Sequence, residues 1–218
     1  MTPLERVERA ARSLKIFPLP SVVLFPGMIL PLHIFEERYR EMVRDALQTD
    51  RVLALAQLEP GWESQYGDRP RLRPLCCAAT IVWNQGLPDG RYNIIVQGIV
   101  RTRILEELPP TKRYREVCAD ILRDPPFHGA EEEQLRQAVF ELGGRIPQEL
   151  SESLLKTAAR TTGGELADIV AAAVVSDIER RQELLCELDV KHRLTAVLEE
   201  VGELIGRMVP STPQGPLN

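Results

Sequence analysis

The sequence breaks in two at Pro125-Pro126-Phe127-His128-Gly129. Two prolines and a glycine can continue neither a helix nor a central strand, so whatever is built before them must end there. The composition changes across the break. Residues 1–125 hold 18 basic and 16 acidic side chains, net +2, and residues 126–218 hold the remaining 9 and 16, net −7. Proline is frequent punctuation before the break, and helix-forming residues dominate after it. The expected organisation is a strand-rich domain over 1–125, a helical one over 126–210 and a flexible tail over 211–218.

The first part reads as strands around one helix. Val22 to Phe25 runs into the Pro26-Gly27 turn, and Met28 to Leu30 resumes the apolar run. Arg51 to Leu58 and Cys76 to Trp83 are apolar enough for strands buried on both faces. Asn84 to Gly90 contains Pro88-Asp89-Gly90 and predicts a hairpin loop. The returning strand alternates through Tyr92, Ile94 and Val96. Gly98 marks a bulge or bend, after which Val100, Thr102 and Ile104 point inward and Arg101 and Arg103 face water. Tyr114 to Leu122 is the last strand. Phe35, Tyr39, Met42, Val43, Ala46 and Leu47 form one helical stripe, with Glu36/Arg40 and Glu41/Arg44 pairs on the far face. Six or so strands with bends suggest a small closed or half-closed barrel.

The second part reads as helix throughout. Glu131 to Leu142 stops at Gly143-Gly144, and Pro147 opens a helix carrying Leu150, Leu154, Leu155 and Ala158. Thr162/Glu165 and Ser176/Glu179 have capping-box spacing. The longest stripe runs from Val190 to Met208. The class is therefore α+β, a bent, antiparallel-rich barrel with one packed helix followed by a helical bundle.

Composition excludes several roles. A net charge of −5 argues against a protein that coats nucleic acid or anionic lipid. No apolar run approaches the roughly 20 residues of a spanning helix, and Met1 to Leu14 is charged where a secretory signal is apolar. The expectation is a cytoplasmic protein with no membrane partner. Cys76, Cys77, Cys118 and Cys186 contain no C-x-x-C pair, and His33, His128 and His192 are scattered, so neither a metal nor a cofactor is expected.

The stretch Ile16-Phe17-Pro18-Leu19-Pro20-Ser21-Val22-Val23-Leu24-Phe25-Pro26-Gly27-Met28-Ile29-Leu30-Pro31-Leu32-His33-Ile34-Phe35-Glu36-Glu37-Arg38-Tyr39 resembles the opening signature of the amino-terminal domain of Lon proteases, found also in cereblon and in free-standing bacterial proteins. Asp89-Gly90-Arg91-Tyr92 through Gly98 to Arg101 is similar to that family's strand, glycine and following arginine. Leu166 to Ala171, Arg181 to Leu185 and Asp189 to Leu194 resemble its closing helices. The similarity covers residues 14–208 in family order. One departure is Cys77-Ala78-Ala79-Thr80, where the family usually has a Gly-Thr pair. The resemblance implies a pseudo-barrel related to RNA-binding PUA-like folds, then helices. It makes Phe17, Pro18, Pro20, Phe25, Pro26, Gly27, Pro31, Gly90, Gly98 and Arg101 structural motif positions. It also implies a part that recognises substrate proteins and helps assemble an oligomer. No phosphate-binding G-x-x-x-x-G-K-[ST] loop or Ser-Lys protease domain accompanies it.

Glu59 to Arg73 is the most informative loop, too long to be only a turn and rich in aromatics and arginines. Trp62, Tyr66, Arg69, Arg71 and Arg73 are the candidate peptide-binding residues, and the same set could serve a single-stranded nucleic acid or simply cap the barrel. Ser153-Leu154-Leu155-Lys156 has the S-x-x-K spacing of a serine acylase but no S-D-N or K-T-G partner. His33 lacks a nearby nucleophile. The expected function is a non-catalytic module that engages exposed or unfolded protein segments. The groove between barrel and bundle, the 59–73 loop or an open strand edge would supply the contact. Its expected associates are a separate protease or ATPase or a second copy of the chain. The alternatives are a PUA-like RNA binder reading phosphates through Arg69, Arg71 and Arg73, and a hydrolase using Ser153 and Lys156.

Overall fold

The computed structural model describes residues 1–65 and 69–208; Tyr66 and the tail over 211–218 lie outside the described residues. Six strands form one sheet: β1 (Leu14–Leu19), β2 (Ile29–Ile34), β3 (Val52–Gln57), β4 (Leu75–Gly86), β5 (Tyr92–Glu107) and β6 (Arg115–Leu122). Their order is β2-β5-β4-β3-β1-β6, and β5 also pairs with β6. Thus β1, β3, β4, β5 and β6 close into a barrel and β2 stands outside the closure as an edge. Every pairing is antiparallel except that of β1 with β3.

Gly98 lets one strand serve both purposes. The first part of β5, up to Gln97, pairs with β2, and the part from Arg101 onward pairs with β6. Between them Ile99 is an extra residue against β4, because Ala78 faces Val100 while Ala79 faces Gly98. This is the expected bulge. A Cβ at Gly98 would stand 2.2 Å from the carbonyl oxygen of Phe25, so only glycine lets the 25–28 segment lie across the bend. The Gly98 N–H donates to Met28 O and the Gly27 N–H donates to Gly98 O, both at 2.9 Å.

That segment corrects the expected strand over Val22 to Phe25, which is irregular. Its side chains diverge. Val23 and Phe25 enter the core of the helical half, whereas Leu24 enters the barrel core. The hairpin turn is also tighter than expected. β4 continues through Gly86, and the turn closes with Leu87 N–H on Arg91 O at 2.8 Å. Cys77 to Thr80 lie inside β4, all buried.

Helix α1 (Pro3–Ala10), closed by a Thr2/Glu5 capping box, packs Val7 and Ala10 on the barrel. Helix α2 (Glu37–Gln48) buries Tyr39, Met42, Val43 and Ala46 against the sheet as its stripe predicts. Phe35 does not join that stripe; it precedes the helix and is 61% exposed. The expected i,i+4 and i,i+3 charge pairs are replaced by longer reaches: Arg40 Nε donates to Gly90 O at 2.7 Å, and Glu41 pairs with Arg113.

Helices α3 (Ala130–Gly143), α4 (Gln148–Ala158), α5 (Gly163–Val174), α6 (Ile178–Cys186) and α7 (Val190–Met208) follow. Their shared core includes Leu135, Val139, Leu166, Val170, Leu194 and Val197. Neither expected capping box forms. At α6 the cap is Asp177, whose side chain accepts from the Arg180 N–H at 2.7 Å. At α5 the Gly163 N–H goes instead to Glu132 of α3, 3.0 Å away. Leu150 lies outside the core, exposed on α4.

Candidate functional site

A groove of about 520 Å³ opens where β1 outruns its partner. β6 pairs with β1 only through Leu14 to Ile16, so Phe17 to Leu19 keep one side open. The end of β2, the start of α2, Leu58, Trp62, Arg69 and Pro70, and Arg113 to Arg115 complete the walls. The loop is held at its base by a short antiparallel clamp. Leu58 bridges Leu72, the Glu59 N–H donates to Arg71 O at 2.9 Å, and the Arg73 N–H donates to Gln57 O at 2.8 Å.

Aromatic rings dominate the lining. Phe17, Tyr39 and Tyr114 are buried and form its base, with Phe17 and Tyr39 at 4.5 Å between centroids. Phe35, stacked with His33 at 6.2 Å, and half-buried Trp62 line it nearer to solvent. Pro18, Pro20 and Pro70 add rigid apolar surface. Asp45 anchors Tyr114 by accepting from its hydroxyl, and accepts from Lys112 Nζ as well, each at 2.8 Å. Burial pushes the Asp45 carboxyl up, but these two donors outweigh it and hold it below the ordinary value.

The free strand edges here are poor templates for an added strand. The Gly98-to-Met28 bond sets the phase of the β2–β5 ladder, so Ile29, Pro31 and His33 turn their backbone groups to the open side. Pro31 has no N–H to offer there, Pro18 removes a donor in β1, and Pro20 removes another just past its end. Side-chain contact, rather than sheet extension, is what this groove provides.

Of the residues singled out in the 59–73 loop, Trp62 and Arg69 line the groove. Tyr66 lies outside the described residues. Arg71 is exposed beside the clamp, and Arg73 turns away to Glu179 at the start of α6. This groove is distinct from the one expected between barrel and bundle, since none of its lining residues lies beyond Arg115; a second cavity of about 340 Å³, lined by Ile99, Leu122 and Glu165 among others, lies at that junction. His33 also lines it, with Nδ1 2.7 Å from Asn93 Oδ1. Ser153 and Lys156 build no nucleophile–base pair: both are exposed, and the lysine ammonium donates to Glu152 at 3.1 Å.

The alternation along β5 does not reveal the polar centre of the molecule, although the family resemblance singles out Arg101 as a structural position. Arg101, expected in water, is 2% exposed. Its Nη1 and Nη2 donate to the two oxygens of Asp168 on α5, each at 2.6 Å, and its Nε donates to Leu185 O near the end of α6 at 2.8 Å. Arg193 of α7 is fully buried beside them. It pairs with Asp124, donates to Glu187 O at 2.7 Å and brings Nε to 3.2 Å from Asp168 without a well-aligned hydrogen bond. Two guanidiniums thus meet two carboxylates at the barrel–bundle junction, and the charges balance. Burial pushes the Asp168 carboxyl up, opposed by its bonds to Arg101, whose own pKa is raised despite burial by that same carboxylate. Gly164 makes room, since a Cβ there would stand 1.9 Å from Asp124 Oδ2. The available signals were an aspartate within the apolar run Leu166 to Val174 of α5 and an arginine on the apolar stripe of α7.

The molecule is thus a closed barrel bearing an aromatic groove, fused to a helical bundle through buried charge. The chain belongs to the family of substrate-binding domains of the ATP-dependent protease La (LON), whose pattern it matches over residues 13–202. It is 35% identical over 193 residues to the Lon protease of Roseiflexus castenholzii, covering 85% of this chain and 23% of that protein. To Lon protease 2 of Myxococcus xanthus it is 30% identical over 197 residues, with the same coverage of 85% and 23%. The chain therefore spans under a quarter of the length of these relatives. Its fold is that of the N-terminal domain of Mycobacterium avium complex Lon protease, with a TM-score of 0.68 at 17% identity over 88% of this chain and 98% of that one. A Lon N-terminal domain protein from Xanthomonas campestris superposes with a TM-score of 0.63 at 21% identity, over 86% and 97%. Nothing in these similarities favours an RNA-binding role. No helix among the described residues is long and apolar enough to cross a membrane.

Proposed function

We propose that this protein captures extended, apolar segments of other proteins in the groove bounded by β1, β2, α2, Trp62 and Arg69, and catalyses nothing itself. The observation that carries the reading is the aromatic lining, with Phe35 exposed next to the buried Phe17 and Tyr39. An exposed ring beside an apolar base is typical of a hot spot awaiting a partner side chain. Proline-blunted edges direct the contact to side chains, which lets one groove accept many sequences. The captured segment would pass, in the cytoplasm, to a separate ATPase or protease, or be held by a homo-oligomer of this chain.

The test is capture of a permanently unfolded client, such as a reduced and carboxymethylated globular protein, by the wild type and by a Phe35→Ala/Trp62→Ala double variant. The variant is expected to lose most of its capture while its melting temperature stays within a few degrees. Undiminished capture would refute the assignment of this groove.

A further inference from the structure

The groove carries more guanidinium than carboxylate. Arg38, Arg69, Arg113 and Arg115 line it, against Glu36 alone. The counter-charges are unevenly shared. Arg38 pairs with Glu36 at 2.8 Å, and Arg113 lies between Glu37 and Glu41. Arg69 and Arg115, however, share one carboxylate, Glu107. Arg115 takes both of its oxygens through Nε and Nη2, at 3.0 and 2.6 Å, and Arg69 Nη1 reaches it at 3.1 Å. Among the described residues, two cations on one anion leave a net positive charge at this end.

Arg115 has little left to offer, because its Nη1 also donates to Pro70 O at 2.6 Å and its side chain is 11% exposed. Arg69 is different. Its side chain is 37% exposed, one of its nitrogens is engaged by Glu107, and a guanidinium carries five N–H donors in a planar fork suited to a carboxylate. We infer that the groove prefers segments in which an apolar side chain is flanked on one side by an acidic residue, and that Arg69 reads that carboxylate. This rests on the peptide-binding reading of the same groove. A phosphate-bearing strand would meet the same cation and the exposed ring of Phe35, so an oligonucleotide stands among the probes.

The inference is tested by fluorescence anisotropy with the intact protein and three short labelled peptides sharing one Leu-Phe-Leu core, flanked by Glu, Gln or Lys. A labelled uridine oligonucleotide is the fourth probe. The acidic peptide is expected to bind about threefold to fivefold tighter than the neutral one at low salt, the range of an exposed ion pair, with the difference fading as salt is raised. Arg69→Glu should reverse the order so that the lysine-flanked peptide binds best. It leaves Arg115 on Glu107 and is not expected to unfold the chain, which circular dichroism checks. Equal affinities, or an unchanged order in Arg69→Glu, would overturn the inference and leave peptide binding intact. If no peptide binds, both readings fall. Arg69-dependent binding of the oligonucleotide in place of the peptides would overturn both in favour of RNA.

Discussion

Arg101 of β5 and Asp168 of α5 meet in a two-pronged ion pair, 2.6 Å on each prong, with both side chains at most 2% exposed. A buried pair of this kind is weak evidence for stability gained, because desolvation offsets the attraction. Losing one partner is another matter, since the survivor is left charged in a dry site. Asp168→Asn is therefore expected to destabilise the protein by about 3–5 kcal/mol in urea unfolding. Replacing Arg101 and Asp168 together by Met and Leu should cost far less. Equal losses in the single and double variants would show that packing, not charge, dominates here.

The same junction bears on how the chain folds. We propose that residues 1–125 and 126–210 are subdomains of one cooperative unit, because Val23 and Phe25 of the strand half sit in the helical core and Gln182 of α6 donates to Leu75 O of β4 at 2.9 Å. Calorimetry should show one transition whose van't Hoff and calorimetric enthalpies agree. Two resolved transitions would separate the halves.

Much of this architecture is legible in the residues themselves. The stripes of α2 and α7 and the Pro88-Asp89-Gly90 turn carry their geometry locally, so they fall where expected. The segment Val22 to Phe25 does not. An apolar run reads as strand, but here consecutive side chains serve two different cores, which only the docked helices reveal. Arg101 fails for a related reason: two-residue alternation assigns it to the outer face without saying that a helical bundle covers that face. In the groove, Trp62 and Arg69 stand out from loop composition, while Phe17, Tyr39 and Tyr114 read as core. They are core, and they are also the base of the groove.

Gly98 sets the bend that sends β5 from β2 to β6. Gly98→Ala must push a methyl against Phe25 O, the backbone of a segment fixed on both sides, so relief by a rotamer change is closed. The expected loss is about 3 kcal/mol, at the upper end of overpacking costs. A change under 0.5 kcal/mol would mean that the 25–28 segment lifts away freely.

The cysteines make a pH prediction. Burial pushes the Cys76 thiol up to about 11, with Thr102 as its close polar neighbour, and pushes Cys77 higher still. A thiol harder to ionise when folded contributes nothing to stability loss below its ordinary range. Above about pH 9 the unfolded chain ionises and the native one does not, so stability falls as pH rises. Native protein at pH 8 should leave Cys76 and Cys77 unalkylated in peptide mapping, and the Cys76→Ala/Cys77→Ala variant should show a shallower stability decline between pH 9 and 10. Rapid labelling of both thiols at pH 8 would contradict their burial.

The central claim is the location of capture, and hydrogen exchange read by mass spectrometry with and without a saturating apolar peptide addresses it directly. Added protection is expected over residues 17–20, 32–39, 58–63 and 113–115, with α3 and α4 unchanged. Protection confined to the helical half, or none anywhere despite measured binding, would contradict the account.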